Sequence, residues 1–516
     1  MRFWLGILFT LTLTAATRTE YRGFWVDTFN SNLNSHADVV AVVRGAKSAQ
    51  ANTIFAQVRR RGDAWYLNSL EPPPDFVPIE ARFDPLLDLI QEAHAQQMEV
   101  HAFVILGAIW NKNPTFPASA TLGAPTSPNH VFNRHGGFDA TTGRIEAGPN
   151  NWLTRSLLPD GTAGISFQGH RFGSDFWLDF GHPEAATYTV EVLLHLVRNY
   201  NLDGLHLDRI RYPEFAVAGQ SVATGANIGY NAVSVARFQA KYGLAPDAPS
   251  PAPGDERWSQ WRRDQVTNLV RRIYLQAIAL RPQLTISAAL IAFGDGPASE
   301  AAWKSADAYW RVYQDWRAWT EEGILDLAIP MNYKREHIPQ QAAWYRQWND
   351  WTRNHRYSRG ALMGLGIYLN SVEGTVRQIE SALAPPLLGV AMFSLAVPDG
   401  AVEEKPVRGL AELAAALTKP EGIFFEPATI PALAWKVAPA RGHLMGFAGA
   451  VDSAEVAFYN EQGQVAFITA TDGSGFFGAV DLPAGRYVAL VEWGGERKVS
   501  RPVEVVAGKV GLVGFD

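Results

Sequence analysis

Eight short apolar runs recur between residues 22 and 395, and they alternate with longer stretches of helical pattern. The runs are Arg22 to Asp27, Asn52 to Arg59, Glu99 to Ile105, Asp203 to Asp208, Leu284 to Leu290, Leu325 to Asn332, Ala361 to Tyr368 and Gly389 to Leu395. Strands that alternate with helices form βαβ units and a parallel sheet. Because eight such units close into a barrel, the pattern predicts an α/β fold, a TIM-type (β/α)8 barrel over residues 18–419.

The chain changes character after about residue 420. From there to residue 516 it has short β-type segments separated by turn signals such as Asn460 to Gly463 and Pro483 to Arg486. Regular spacing of this kind predicts a C-terminal all-β sandwich domain. Such an accessory module either binds carbohydrate or acts as a spacer.

The segment from Gly107 to Asp175 interrupts the barrel pattern between the third and fourth strands. It is rich in Gly, Asn, Pro and Thr, and it is too long for a plain connection. We expect it to fold over the barrel mouth as a substrate-binding lid. The alternative is an ornament with no ligand role.

The amino terminus has the order of a secretory signal peptide: Arg2, an apolar run and the small-residue exit Ala15-Ala16. The apolar run is too short for an ordinary spanning helix. We therefore expect residues 1–17 to be removed on export, leaving a secreted, periplasmic or cell-envelope protein with no transmembrane helix. The chain has no cysteine, which excludes disulfides and cysteine metal sites.

The charge and the remaining motifs narrow the ligand classes. With a net charge of −6 and a pI near 6.1, the chain has no basic stripe, so nucleic acid is not an expected partner. His94 and His101 have no second ligand at a metal-like spacing, and no Gly-rich phosphate loop follows a strand. No metal or other cofactor is expected, and the sequence does not indicate an oligomeric state.

The fourth run ends in a burst of polar residues, Asp208-Arg209-Ile210-Arg211. Gly204, His206 and Asp208 share one face of that strand because side chains alternate with a period of two. A buried carboxylate at a strand's carboxyl end costs free energy unless it is paired or used. In parallel barrels that end is where active sites are assembled.

Polar residues fall on the expected inward face of the other strands as well. By parity these are Asp27, Gln57, Arg59, His101, His206, Ser287, Asn332 and Tyr368. Arg211 follows strand four closely, and Trp110, Tyr333 and Tyr368 follow strands at places where they would stack on sugar faces. Since barrel interiors are filled mostly by branched apolar side chains, this convergence predicts a polar ligand the size of a sugar. For His206, a satisfied interior histidine is the competing interpretation.

Several motifs together resemble one known family. They are Arg22 to Val26, Asn52 to Arg59, Gly62 to Tyr66, Glu71-Pro72, Glu99 to Phe103, Trp177 to Glu184 and Asp203 to Pro213. The chain resembles, over roughly residues 20 to 400, the glycosyl-hydrolase-like 10 family, which includes bacterial envelope glycosidases. The resemblance implies a TIM-type barrel and glycoside hydrolysis, with peptidoglycan glycan strands as a characterised substrate. Many members carry two adjacent acids where this chain has Asp208-Arg209.

Glycoside hydrolysis needs two carboxyl groups, one ionised and one protonated, on either side of the bond to be cut. Asp208 is the first candidate, and its structural alternative is a buried ion pair with Arg59, Arg209 or Arg211. Asp63, after strand two, and Glu336, after strand six, are the leading candidates for the second catalytic acid. Asp27 and Asp295 follow them.

Three functions therefore compete. The first is an exported glycoside hydrolase that cleaves a polysaccharide, with cell-wall glycan strands the expected substrate. The second is a catalytically inactive barrel that binds glycans, which the missing second acid would allow. The third is an envelope scaffold that uses both domains for protein contacts.

Overall fold

A computed structural model gives the fold of the chain. It describes residues 18–75, 77–111, 124–139, 144–146, 148–157, 171–172, 175–214, 220–402 and 406–515. The barrel strands are β1 (Tyr21–Val26), β2 (Thr53–Arg59), β3 (Glu99–Ile105), β4 (Gly204–Asp208), β5 (Thr285–Ile291), β6 (Leu327–Met331), β7 (Gly360–Ala361 and Met363–Gly366) and β8 (Gly389–Phe393). All eight predicted strands are confirmed.

The strands pair in parallel in chain order, and β8 returns to pair with β1, so the sheet is closed. The predicted TIM-type barrel is thus confirmed. Its main helices are α1 (His36–Ser48), α2 (Pro85–Ala95), α3 (Pro183–Asn199), α4 (Ala232–Lys241), α5 (Glu256–Leu280), α6 (Trp316–Glu322), α7 (Pro339–Asn354), α8 (Val372–Ala382) and α9 (Leu410–Thr418). Shorter helices are Val131–His135, Glu300–Trp303, Asp307–Trp310 and Ala434–Val437, with a 3-10 turn at Ile367–Leu369.

Aromatic rings fill the barrel interior. The Trp25 ring lies 5.8 Å from that of Phe55, 5.6 Å from that of His206 and 6.1 Å from that of Phe393, measured between centroids. Gly364 makes room for this packing, because a Cβ there would lie 2.9 Å from the Trp25 ring. Such close packing leaves the barrel a filled core rather than a pore.

The insertion after β3 is partly described. Ala108–Asn111, Arg171–Phe172 and Asp175–Trp177 form a small antiparallel sheet next to the barrel. Phe138–Asp139 pairs with Arg144–Ile145. The predicted lid role of this segment stays a prediction.

The C-terminal region has two sheets of its own. One contains β9 (Arg441–Phe447), β12 (Phe476–Pro483) and β16 (Val510–Val513), and the other contains β10 (Glu455–Asn460), β11 (Val465–Ala470), β13 (Gly485–Trp493), β14 (Glu496–Val499) and β15 (Val503–Val505). Apolar residues from both sheets, such as Leu444, Phe458 and Val491, form one cluster between them. The predicted β-sandwich is confirmed.

Three barrel arginines hold this β-sandwich against the barrel. Arg237 on α4 binds both carboxylate oxygens of Asp452 at 2.7 Å. Arg272 on α5 lies 3.5 Å from Asp472, and Arg359 lies 2.9 Å from Asp481. The sandwich therefore packs along α5, with further contacts to α4 and to the segment before β7.

The segment just after residue 420 also contacts the barrel. Ala428–Thr429 pairs with Arg18–Thr19, and Phe424 and Leu433 belong to the barrel's main apolar cluster. The predicted domain boundary at residue 420 stays a prediction. The predicted signal peptide, residues 1–17, lies outside the described residues. Within the described part of the chain, no helix has the length and hydrophobicity needed to cross a membrane.

Candidate active site

Asp208 lies at the carboxyl end of β4, where its side chain is mostly buried but reaches solvent. Its Oδ1 accepts a hydrogen bond from the Arg209 amide at 2.6 Å and lies 3.4 Å from Arg211 Nη1. Arg211 is itself buried and contacts Glu214 at 3.2 Å. The carboxylate is thus held by one backbone amide and one guanidinium, and Arg211 lies beside it as predicted.

Asp27 follows β1 and is buried at the same end of the barrel. Its Oδ1 accepts hydrogen bonds from the amides of Phe29 and Asn30 and from the Asn30 side chain, at 2.9–3.1 Å. Its Oδ2 is buried and has no hydrogen-bond partner among the described residues. One oxygen therefore shapes the turn, and the other remains available to a ligand.

Gln57 on β2 is buried near Asp27, because β1 and β2 pair with Val26 opposite Ala56. Its Oε1 accepts hydrogen bonds from the amide and hydroxyl of Thr28, at 2.8 and 2.7 Å. Its Nε2 is buried and, like Asp27 Oδ2, finds no partner in the described part of the chain. Buried polar atoms rarely stay unpaired, so two of them at one place indicate a ligand site.

Tyr333 follows β6, at the same end of the barrel as the two acids. Burial raises the pKa of Tyr333 well above its ordinary value, and the negative charges of Asp208 and Asp27 raise this pKa further. The Tyr368 ring lies edge-on against the Tyr333 ring, with centroids 6.1 Å apart. Asp208 ends β4, and Asp27, Tyr333 and Tyr368 follow β1, β6 and β7, so all four lie at the carboxyl end of the barrel.

His206 lies one layer below, on the barrel floor. Its Nε2 accepts a hydrogen bond from the Trp25 indole at 2.8 Å, so its Nδ1 carries the proton and donates to Ser287 Oγ at 2.9 Å. Burial holds the pKa of His206 well below its ordinary value, so the ring is neutral. Both ring nitrogens are used within the protein, so His206 is a satisfied interior histidine and not a sugar ligand.

Arg59 does not reach the barrel mouth. A bulge between Gln57 and Arg59 shifts the pairing of β2 with β3, so Arg59 leaves the inward face. Its guanidinium is buried against Glu71, at 2.6 and 2.7 Å, and also donates to the Ile105 carbonyl. The prediction that Arg59 binds substrate or pairs with Asp208 is wrong, because strand parity does not survive a bulge.

Two other predicted ligands also point elsewhere. Asn332 donates to the Tyr345 carbonyl on α7 at 2.9 Å, so it faces the helix layer, while its neighbour Tyr333 faces inward. His101 faces inward but pairs in register with Gly204, four residues and about 13 Å below Asp208 along the strand. Its Nε2 lies 3.1 Å from Glu99. The alternation of side chains along a strand predicted the wrong face for Asn332. For His101 it predicted the right face, but the residue lies too far from the carboxyl end of the barrel to reach the site.

The two leading candidates for the second acid have structural partners. Asp63 Oδ1 accepts hydrogen bonds from the amides of Arg60 and Arg61, both at 2.9 Å, and holds that turn. Glu336 Oε1 contacts Arg346 on α7 at 3.0 Å, so this side chain turns toward the helix layer. Glu336 Oε2, like Asp27 Oδ2, is buried without a hydrogen-bond partner among the described residues, so the identity of the second catalytic acid stays a prediction among Asp63, Glu336, Asp27 and Asp295.

The remaining predicted residues lie at the edge of the site. Trp110 packs edge-on against His130, with centroids 5.4 Å apart, and is buried in the insertion rather than offered to a sugar. Asp295 is exposed in the loop after β5. The Arg209 guanidinium contacts Asp175 of the insertion at 2.6 Å.

Sequence reasoning missed Lys334, next to Tyr333. Its ammonium group is buried and donates to the Ala292 carbonyl at 2.7 Å. Burial lowers the pKa of Lys334 to about 8, opposed by the charge of Asp295. In the sequence, Lys334 stands out as a lysine shortly after strand six, with Asp295 in the loop after the neighbouring strand five.

The family model for glycosyl hydrolase-like 10 matches residues 20–381, which is most of the barrel. The chain belongs to this family. Glycosyl hydrolase YngK of Bacillus subtilis is 24% identical over 325 residues, covering 61% of this chain and 52% of that protein. Glycosyl hydrolase DigH of Escherichia coli K12 is 23% identical over 298 residues, covering 55% and 54%. The chain thus spans about half the length of these relatives.

Among solved structures, the glycoside hydrolase domain of PgaB (BpsB) from Bordetella bronchiseptica is similar to the barrel. It is 13% identical, with a TM-score of 0.47, over 72% of this chain and 93% of that domain. The strand pairing described above, rather than this likeness, is the basis for the fold assignment.

Proposed function

We propose that this protein is a glycoside hydrolase whose two working carboxyl groups are Asp208 and Asp27. Two observations carry the proposal: Asp27 follows β1 and Asp208 ends β4 at the same, carboxyl end of the barrel, and Asp27 Oδ2 is buried with no hydrogen-bond partner among the described residues. Membership of a glycosyl hydrolase-like family supports it. Two carboxyl groups facing one space are what glycoside hydrolysis requires.

The surroundings of the two acids suggest how the roles divide. Asp208 has the Arg211 guanidinium and the Arg209 amide beside it, which suits the ionised nucleophile or base. Asp27 Oδ2 has no hydrogen-bond partner among the described residues, so in this proposal it faces the leaving oxygen and serves as the acid. The glycosidic C–O bond then breaks as Asp27 donates its proton, while Asp208 stabilises the positive charge at the anomeric carbon.

The substrate class in this proposal is a polysaccharide, and the specific substrate is the glycan strand of the cell wall. The signal-peptide pattern of residues 1–17, Arg2 with an apolar run and a small-residue exit, supports export to the envelope, where such strands occur. Amino-terminal sequencing of the protein from its native host should find a chain starting near Ala16 to Thr19. Recovery of Met1 from a soluble cytoplasmic fraction would overturn the export proposal.

The test is digestion of purified cell-wall glycan strands by the wild type and by Asp208→Asn, with new reducing ends as the readout. We expect the variant to lose at least about 10³-fold in turnover, because the developing positive charge loses its anionic partner. Asp350→Asn is the matched control, since Asp350 is an exposed acid on α7. Equal turnover in the wild type and Asp208→Asn would remove Asp208 from the mechanism.

A second outcome would favour the glycan-binding interpretation. If the wild type cleaves no strand but is retained on insoluble glycan, the barrel binds without cutting. Arg209, and not a second acid, follows Asp208 in the sequence, and this favours the binding interpretation.

A further inference from the structure

Two exposed phenylalanines stand at the barrel mouth. Phe29 follows β1 and is 48% exposed, and Phe293 follows β5 and is 41% exposed. Because the strands pair in chain order around a closed ring of eight, β1 and β5 lie four strands apart in either direction. The two rings therefore occupy opposite rims of the mouth.

The turn after β1 fixes the place of Phe29. Asp27 Oδ1 accepts the Phe29 amide hydrogen at 3.1 Å, so the acid of the site also positions this residue. The guanidinium carbons of Arg60 and Arg61 lie 5.2 and 5.1 Å from the centroid of the Phe29 ring. The ring is thus held by cations on one side of the loop while almost half of the residue remains open to solvent.

The loop after β5 fixes the place of Phe293 in a different way. The Ala292 carbonyl accepts a hydrogen bond from the buried ammonium of Lys334 at 2.7 Å. The Gly294 carbonyl accepts one from the Trp348 indole at 3.2 Å. The backbone is therefore anchored on both sides of Phe293, although its ring is exposed, and an anchored exposed aromatic ring is a platform for an apolar sugar face.

We propose that a glycan chain lies across the barrel mouth from Phe29 to Phe293, with one sugar stacked on each ring and the bond to be cut between them. This inference rests on the proposed function and adds to it the binding mode. The carboxyl groups of Asp27 and Asp208 lie between the two rims, so sugars are bound on both sides of the reacting bond. Because both rings are open to solvent, the glycan can continue past either one, and cleavage is expected within the chain.

The experiment uses the full-length protein and glycan strands of graded length. The variants are Phe29→Ala and Phe293→Ala, and the matched control is Phe425→Ala. Phe425 is 45% exposed, and its segment packs at the amino-terminal end of the barrel, away from the mouth. Initial rates are followed by new reducing ends, and early products are separated by size.

For long strands we expect each mouth variant to raise KM about 3- to 10-fold with kcat little changed, because a stacked ring contributes binding but no chemistry. Phe425→Ala should match the wild type. Early wild-type products should be internal fragments of mixed length. Unchanged KM in both mouth variants, or products of one size released from one end, would overturn the inference.

A binding measurement separates this inference from the proposed function. If the wild type cleaves nothing, retention of the same four proteins on insoluble glycan is compared. Weaker retention of both mouth variants than of the wild type and Phe425→Ala would support the platforms while hydrolysis fails. Equal retention of all four, or no retention of any, would overturn the platforms as well.

Discussion

The buried acids Asp326 and Asp27, at opposite ends of the barrel, differ in how many of their oxygens have hydrogen-bond partners. At the amino-terminal end, Asp326 accepts hydrogen bonds from the Ile286 amide at 2.8 Å and the Trp435 indole at 2.7 Å, and it pairs with Lys436 at 3.0 Å. At the carboxyl end, Asp27 Oδ2 and Gln57 Nε2 are buried without partners among the described residues. A buried unpaired polar group costs about 1–3 kcal/mol, so one end stabilises the fold while the other is left ready for a ligand.

This difference separates residues that stabilise the fold from residues that serve the proposed activity. Substitutions at the amino-terminal end should lower the free energy of unfolding and leave turnover unchanged. Substitutions at the carboxyl end should do the reverse. The four predictions below test this division, from the largest effect to the smallest.

Asp27→Asn should lower kcat by about 10³-fold, because an amide cannot donate the proton that the leaving oxygen needs. The midpoint of thermal unfolding should change little, since the amide oxygen can still accept from the Phe29 and Asn30 amides. Asp84→Asn is the matched control, an acid at the start of α2 whose side chain accepts hydrogen bonds from the Leu87 and Leu67 amides. A kcat near the wild-type value in Asp27→Asn would show that Asp27 has no catalytic role at the barrel mouth.

Lys436→Met should lower the free energy of unfolding by about 3–5 kcal/mol, because it leaves the wholly buried Asp326 without its cation. The control is Lys241→Met, which removes a half-exposed contact to Asp264 at 3.7 Å and should cost under about 1 kcal/mol. Denaturant unfolding measures both. A large loss of kcat in folded Lys436→Met would contradict the division between the two ends.

His443 makes the amino-terminal end sensitive to acid. Burial lowers the pKa of His443 to about 4, with Asp481 opposing the shift and Arg359 and Lys436 adding to it. The unfolded chain takes up a proton at this residue below about pH 6.5, so between pH 6.5 and 4 the unfolded state binds more protons. The free energy of unfolding should therefore fall by an amount on the order of 3 kcal/mol as pH drops through that window.

Denaturant unfolding of the wild type and His443→Gln at a series of pH values measures this contribution. The variant should lose less stability between pH 6.5 and 4 than the wild type. Parallel pH profiles for the two proteins would show that His443 does not contribute.

Tyr333→Phe should lower kcat/KM by about 10-fold, the smallest of these effects, because it removes one hydroxyl from beside both acids. Unfolding should change little, since phenylalanine keeps the ring that packs against Tyr368 and Phe393. The pH dependence of kcat should also shift, because the Tyr333 hydroxyl interacts with the charges of Asp208 and Asp27. A residue that only packs would not change that dependence. An unchanged profile with unchanged kcat/KM would remove Tyr333 from the site.

The barrel could be predicted from the sequence because each strand is an apolar run buried on both faces. Asp208 could be predicted because it ends such a run. Arg59 was predicted wrongly because a bulge leaves no clear mark in the sequence, and His101 because parity gives a face but no height along the barrel.

The sequence alone does not decide which acid is the second one. Asp63 and Glu336 stand in loops, and whether a loop acid turns inward or toward the helices depends on neighbours far along the chain, such as Arg346 for Glu336. Asp27 and Asp208 are 181 residues apart, and they come to the same end of the barrel because β1 to β4 pair in parallel. The parallel pairing of distant strands, rather than local pattern, brings these acids to one mouth.

Asp27 and Asp208 are proposed to act together on one glycosidic bond, and turnover in the double variant tests this. The kcat on glycan strands is measured for Asp27→Asn, Asp208→Asn and the combined variant. Groups that act together lose little more when both are removed than when one is. We predict that the double variant is about as slow as the slower single variant. Losses that multiply would show that the two acids act independently and would contradict the account.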